Sequence, residues 1–166
     1  TSVTDGNAGP VNELEDILRR LEVAREELID TLQSTDGALF EKQKAGGSSI
    51  KTTLERTADD VNFYYGRLTA RALTLPQPPC MNKAEFMSLR EATISLQVAH
   101  RRFSNLLHKL IPEDLEKKTT GDDHGEYTLR QVLEMAAAHY RLRRQQVQTL
   151  AEGAPKRRRK APESHP

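Results

Sequence analysis

"GEYTLRQVLEMAAAHYRLRRQQV", residues 125–147, is the stretch on which the fold turns. Thr128 followed three residues later by Gln131 marks a helix start. A hydroxyl and an amide at that spacing can each satisfy the other's free backbone N–H. Beyond it Leu129, Val132, Leu133, Ala136, His139, Tyr140, Val147 and Leu150 recur at three- and four-residue steps, the inner stripe of an amphipathic helix. His139 and Arg143 are one turn apart and share that face. A guanidinium in an apolar stripe needs either a carboxylate partner or a cavity.

Working outward, three more stripes appear. Leu14, Ile17, Leu18, Leu21, Leu28 and Leu32 predict a helix over 11–34. Ile50, Leu54, Ala58, Val61, Tyr64 or Tyr65, and Leu68 predict a second over 49–73, capped by Ser48 or Ser49 and stopped by "LPQPPC". Phe86, Leu89, Ile94, Leu96, Ala99, Phe103, Leu106, Leu107 and Leu110 predict a third over 82–111, started by Asn82 and Glu85. The fourth spans 128–152. "PEDLEKK" adds a short helical turn after Pro112, and no segment shows sustained strand alternation. The expected class is all-α: a four-helix bundle over 11–152, with long connections between helices 1 and 2 and between helices 3 and 4. Residues 1–10 are expected to be a disordered N-terminal segment, and 153–166 a disordered basic tail. Connections that long in a bundle often border an opening.

Charge narrows the partners. There are 25 Lys and Arg against 24 Asp and Glu, so no surface-wide affinity for nucleic acid or membrane follows. The chain has no Trp, four Tyr and four Phe, too few for an aromatic platform that stacks single strands. No apolar run approaches the roughly 18–20 residues of a membrane span. The first ten residues lack the apolar segment of a signal peptide, and a single cysteine, Cys80, forms no internal disulfide. A cytoplasmic protein is expected. Cys80 has no base near it in sequence and is read as a bystander. "KRRRK", residues 156–160, is the one place where nucleic acid or another acidic partner could be held, and a solubilising charge run is the preferred reading. His100 and His108, eight residues apart, are read as surface or edge residues.

"SSIKTTLERTADDVNFYYGRL" in helix 2, "NLLHKLIPEDLEKK" at the end of helix 3 and the G-E-x-T-L-R-x-x-L-E start of helix 4 together resemble the DinB/YfiT-like family of four-helix bundles, over about Val11 to Leu150. The resemblance implies a metal site: one histidine from a helix 2 pattern like W-S-x-x-x-x-L-x-H-L-A-D, and two from H-x-x-x-H on helix 4. Aligned on Ser49, the helix 2 ligand position is Arg56, followed by Thr57, Ala58 and Asp59. Aligned on Gly125, the helix 4 positions are His139 and Arg143, and a further histidine common in the family falls on Met135. The family's Trp is absent. Only His139 of the three imidazoles is present, and arginine, always protonated, has no lone pair for a metal.

The resemblance therefore implies a metal-less binding protein or pseudo-enzyme with no cofactor. Its former metal pocket would be lined by Arg56, Asp59, Asp60, Met135, His139 and Arg143. Asp59, Asp60 and Glu134 are candidates to neutralise the arginines. Failing them, Arg56 and Arg143 would bind a small anionic ligand. The alternative is a metal-dependent hydrolase or thiol transferase, with a divalent ion such as Zn or Ni held by a site rebuilt from His139 and Asp59 or Asp60. For His139 and Arg143 a hydrogen-bonded core histidine and a structural ion pair stand beside these readings, and Arg56 off its stripe could face solvent. A homodimer is expected from the long amphipathic helices and neutral net charge.

Overall fold

Each of the four apolar stripes forms a helix in the computed structural model, which describes residues 10–44, 46–77 and 83–163, and the side chains of all of these except 10–12, 62–63 and 153–163. Helix α1, Pro10–Gln33, buries Leu14, Ile17, Leu21, Ala24, Leu28 and Leu32. Helix α2, Ile50–Asp59, starts at Ser49. Its hydroxyl accepts from the Thr52 amide while the Thr52 hydroxyl accepts from the Ser49 amide. A wide π-helical turn, Asp60–Tyr65, then leads into α3, Gly66–Ala72, on the same rod. Helix α4 is Leu89–Leu107. Helix α5, Leu129–Glu163, begins with the reciprocal Thr128–Gln131 cap.

Helix α5 lies along α1 and against α2, and α2 also packs on α4. The core between them holds Leu21, Leu28, Leu54, Leu68, Leu96, Leu129, Leu133 and Val147. Burying each such side chain contributes about 1.5–3 kcal/mol. The protein is all-α in its core, and no helix among the described residues is long and apolar enough to cross a membrane.

Three features differ from the sequence reading. The third helix starts at Leu89, not at 82. Residues 83–86 are held against α2 instead: Asp59 Oδ1 accepts from the Ala84 amide at 2.9 Å, Glu55 Oε2 accepts from the Phe86 amide at 2.9 Å, and Lys51 donates to the Phe86 carbonyl. The cap is the pair Ser88 and Glu91, which repeats the Asn82–Glu85 spacing six residues later.

Second, a small antiparallel hairpin stands before α5, β1 Lys118–Thr120 with β2 Glu126–Thr128, in register Lys118↔Thr128, Thr119↔Tyr127 and Thr120↔Glu126. Three residues per strand are too few for alternation to be legible. Gly121 sits where the hairpin meets Tyr64: a Cβ there would lie 3.0 Å from the Tyr64 hydroxyl. Third, His100 is not at the surface but buried, in the α4 stripe with Leu96, Ala99, Phe103 and Leu107.

Both long connections carry structure among the described residues. The first places Leu39 and Phe40 in the core behind a short 3-10 turn, Gly37–Leu39. The second forms the expected turn at Pro112–Glu116, with Leu115 buried, and then the hairpin. Helix α5 continues past the expected boundary at 152. The side chains of the segment read as a disordered tail, including the basic block 156–160, lie outside the described residues, as do residues 1–9, Cys80 and Asn82.

Candidate functional site

The π turn governs the site. It widens the helix just where Asp60 and Tyr65 must both face α5, a usual setting for such turns near functional groups. Tyr65 is buried, and its hydroxyl is hydrogen-bonded to His139 Nδ1 and lies 3.5 Å from the Met135 carbonyl. Asp60 Oδ2 is 3.7 Å from the same His139 nitrogen and accepts from Arg143 Nη2 at 3.2 Å. Arg143 Nη1 donates to Gln146 Oε1 at 3.1 Å, while its Nε is buried without a partner. Burial first, then the nearby Asp60 charge, pushes the Tyr65 phenol well above its usual pKa, so it stays a neutral hydroxyl.

Arg143 is thus inside the bundle, its side chain 13% exposed, beside His139 and paired with a carboxylate. Asp60, one of the three candidates, is that carboxylate. The other two go elsewhere. Asp59 is spent on the Ala84 amide, and Glu134 is exposed. Arg56 does not converge on Arg143; it is exposed and lines a cleft of about 360 Å³ between α2 and α5. Met135 is half-buried against the core and meets the site through its carbonyl. Tyr65 and Gln146 belong to the cluster and were not foreseen as such. The signal for Tyr65 was available: an aromatic in the core stripe whose hydroxyl must find a partner.

A second polar cluster lies across α5, around the misread His100. Its Nε2 is 2.9 Å from Glu22 Oε1 on α1, and its Nδ1 is 3.1 Å from the hydroxyl of Tyr140, which is buried. Arg25 pairs with Glu22 in turn. Burial holds His100 below its usual pKa against the opposing pull of Glu22. Burial raises Glu22, but the hydrogen bonds from His100 and Arg25 outweigh it and leave that carboxyl lowered. The neutral imidazole therefore donates Nε2–H to Glu22 and accepts a hydrogen bond from the Tyr140 hydroxyl at Nδ1. His100, Glu22 and the Tyr140 hydroxyl are all satisfied, while Arg25 Nε is buried without a partner.

The donor set around His139 does not fit a divalent cation. Nδ1 is engaged with Tyr65, the one nearby carboxylate is bound to a guanidinium, and that guanidinium occupies the space one turn along the helix. No group of three or more His, Cys, Asp or Glu among the described residues could hold a metal ion.

Comparison with known proteins agrees with the fold. YfiT from Bacillus subtilis, described as a probable metal-dependent hydrolase with an unusual four-helix bundle topology, superposes with a TM-score of 0.67 at 16% sequence identity, over 84% of this chain and 86% of that one. At that identity the likeness speaks for the fold alone. No curated protein matches in sequence. The model of the DinB superfamily matches residues 20–147, from the second half of α1 through the His139–Arg143 turn of α5, and the chain belongs to that superfamily.

Proposed function

We propose that this DinB-superfamily chain works without a divalent metal, as a binding protein or pseudo-enzyme that uses the region of His139, Arg143 and Arg56. One observation carries the reading: the Arg143 guanidinium, bonded to Asp60, stands one turn from His139 on the face where a second imidazole would be needed. Its positive charge repels a cation, and it lends no lone pair. His139 is held by Tyr65 with its side chain 41% exposed, so it can present its other ring nitrogen to a ligand.

A second reading rests on the 3.7 Å approach of His139 to Asp60 and on the hydrolase described for YfiT: a metal-dependent hydrolase or thiol transferase with a rebuilt His–carboxylate site. Metal analysis separates the two. The metal-free reading expects no stoichiometric Zn, Ni, Fe or Mn in purified protein, and no thermal stabilisation by added Zn or Ni. About one metal per chain, lost in His139→Ala, would establish the second reading in its place. As a positive control, Arg143→His restores the spacing of two imidazoles and is expected to gain Zn-dependent stabilisation.

A further inference from the structure

We infer that the cleft between α2 and α5 is a ligand site for a small molecule carrying one oxyanion group, carboxylate or phosphate, on an uncharged polar body. This rests on the metal-free reading above and names the ligand class. The cleft, of about 360 Å³, falls in the size range of small-molecule sites. Thr52, Thr53 and Arg56 line one wall and Gln145, Gln146 and Thr149 the other. Among the described residues no carboxylate lines it, and Arg56 is its one cation.

That cation is left uncompensated by the way its neighbours are used. The three carboxylates of α2 and the π turn that lie within one helical turn of Arg56 are Glu55, Asp59 and Asp60. Glu55 is bound to Lys51 and to the Phe86 amide. Asp59 holds the Ala84 amide. Asp60, at the i+4 spacing where an ion pair with Arg56 would form, is taken by Arg143 from across the groove. The Arg56 guanidinium makes no hydrogen bond or ion pair among the described residues, and its forked donors match a carboxylate or phosphate.

Gln146 supplies a second donor of fixed sense. Its Oε1 accepts from Arg143, so its amide N–H₂ is the end free to face the cleft. Arg143 thereby does two things: it removes the carboxylate that would cancel Arg56, and it orients an amide as a donor. The Thr53 hydroxyl is spent on the Ser49 carbonyl and the Thr52 hydroxyl on its cap, so these two add shape and no further charge. Gln145 and Thr149 can each donate or accept, so the charge preference is set by Arg56, the one cation among the described lining residues, with the Gln146 N–H₂ as a donor of fixed sense. Such a site favours an oxyanion over an ammonium group.

The test is a titration of isotope-labelled full-length protein, freed of metal on a chelating resin that is then removed, with inorganic phosphate, acetate and, as the cationic control, choline, at matched ionic strength. The NMR signals of the Arg56 Nε–H and the Gln146 side-chain amide are followed. Saturable shifts of both with an oxyanion and none with choline are expected, weakened about tenfold or more in Arg56→Gln and partly kept in Arg56→Lys. Phosphate saturating below acetate assigns a phosphate-bearing ligand, and the reverse assigns a carboxylate. Arg56 is exposed, so both variants keep the fold. Shifts that never saturate, that choline reproduces, or that survive Arg56→Gln overturn the inference and leave the metal-free reading standing. Oxyanion binding that appears only when Zn is added overturns both.

Discussion

Replacing Arg143 by Met measures the ion pair at the centre of the site. Removing one member of a fully buried pair typically costs about 3–5 kcal/mol, and of an exposed one about 0–1 kcal/mol. Here Arg143 is 13% and Asp60 28% exposed, so water still reaches the carboxylate left behind, and the loss belongs between those limits. The same change removes the Arg143 Nε–H, buried without a partner, and with it a standing penalty on the order of 1 kcal/mol. The net expectation is a destabilisation of about 1–2 kcal/mol, which at this chain length lowers the melting temperature by roughly 2–8 °C. Urea unfolding of the wild type, Arg143→Met, Asp60→Asn and the double variant closes a cycle that isolates the pair. A coupling energy of about 0.5 kcal/mol or more is expected. If Arg143→Met is as stable as the wild type and the coupling is near zero, the two groups do not interact and the account of the site is wrong.

Acid should act through His100. Its folded pKa is depressed by burial, so the folded protein holds fewer protons than the unfolded chain. Stability is then full above the unfolded value of about 6.5 and falls as the pH drops below it, until the folded value is passed. Unfolding free energies at pH 7.5 and 5.5 should differ more for the wild type than for His100→Gln, and equal differences would refute the assignment. Gly121→Ala places a Cβ 2.8 Å from Asp123 Oδ1 and 2.9 Å from the Tyr127 ring, so the hairpin should shift at a cost of about 1–3 kcal/mol. Faster hydrogen exchange confined to 118–128 would report it, and unchanged exchange would contradict the close packing. A dimer mass by light scattering at high concentration is expected, and a monomer mass removes the homodimer proposal.

The four stripes were legible because each helix hides one face and the apolar residues repeat with its period. The start of α4 was not, because Asn82–Glu85 and Ser88–Glu91 are equally good caps locally. The choice between them is made by Asp59 and Glu55, which pull residues 83–86 onto α2. The eight-residue spacing of His100 to His108 carries no information on burial, whereas the phase of His100 with Leu96, Ala99 and Phe103 puts it inward. Arg143 could be located because its slot is defined by a family pattern. Its partner could only be narrowed to three carboxylates. Asp60 wins over Asp59 by pointing across the groove, and that direction is set by a turn whose width no local pattern announces.

That turn makes the rod of α2 and α3 run on two clocks. An ordinary helix advances about 100° per residue, and a π turn advances less. Up to Val61 the rod buries Leu54, Ala58 and Val61; beyond it Tyr65, Leu68 and Ala72 continue that line, and Gly66 and Ala70, which lie off it, are buried too. The wide turn takes up the slip. Deleting one residue between Asp60 and Tyr65 would leave a regular helix with better-formed hydrogen bonds, yet it would turn α3 by about one residue's rotation against α2. Either Tyr65 would then leave His139, or Asp60 would leave Arg143. The rod would gain local regularity at the cost of one of these two polar contacts with α5, and so a change neutral for an isolated helix would be damaging here. Alignments of related chains through this segment should be drawn with a one-residue gap allowed at the turn, since a π turn holds more residues than a regular helical turn does.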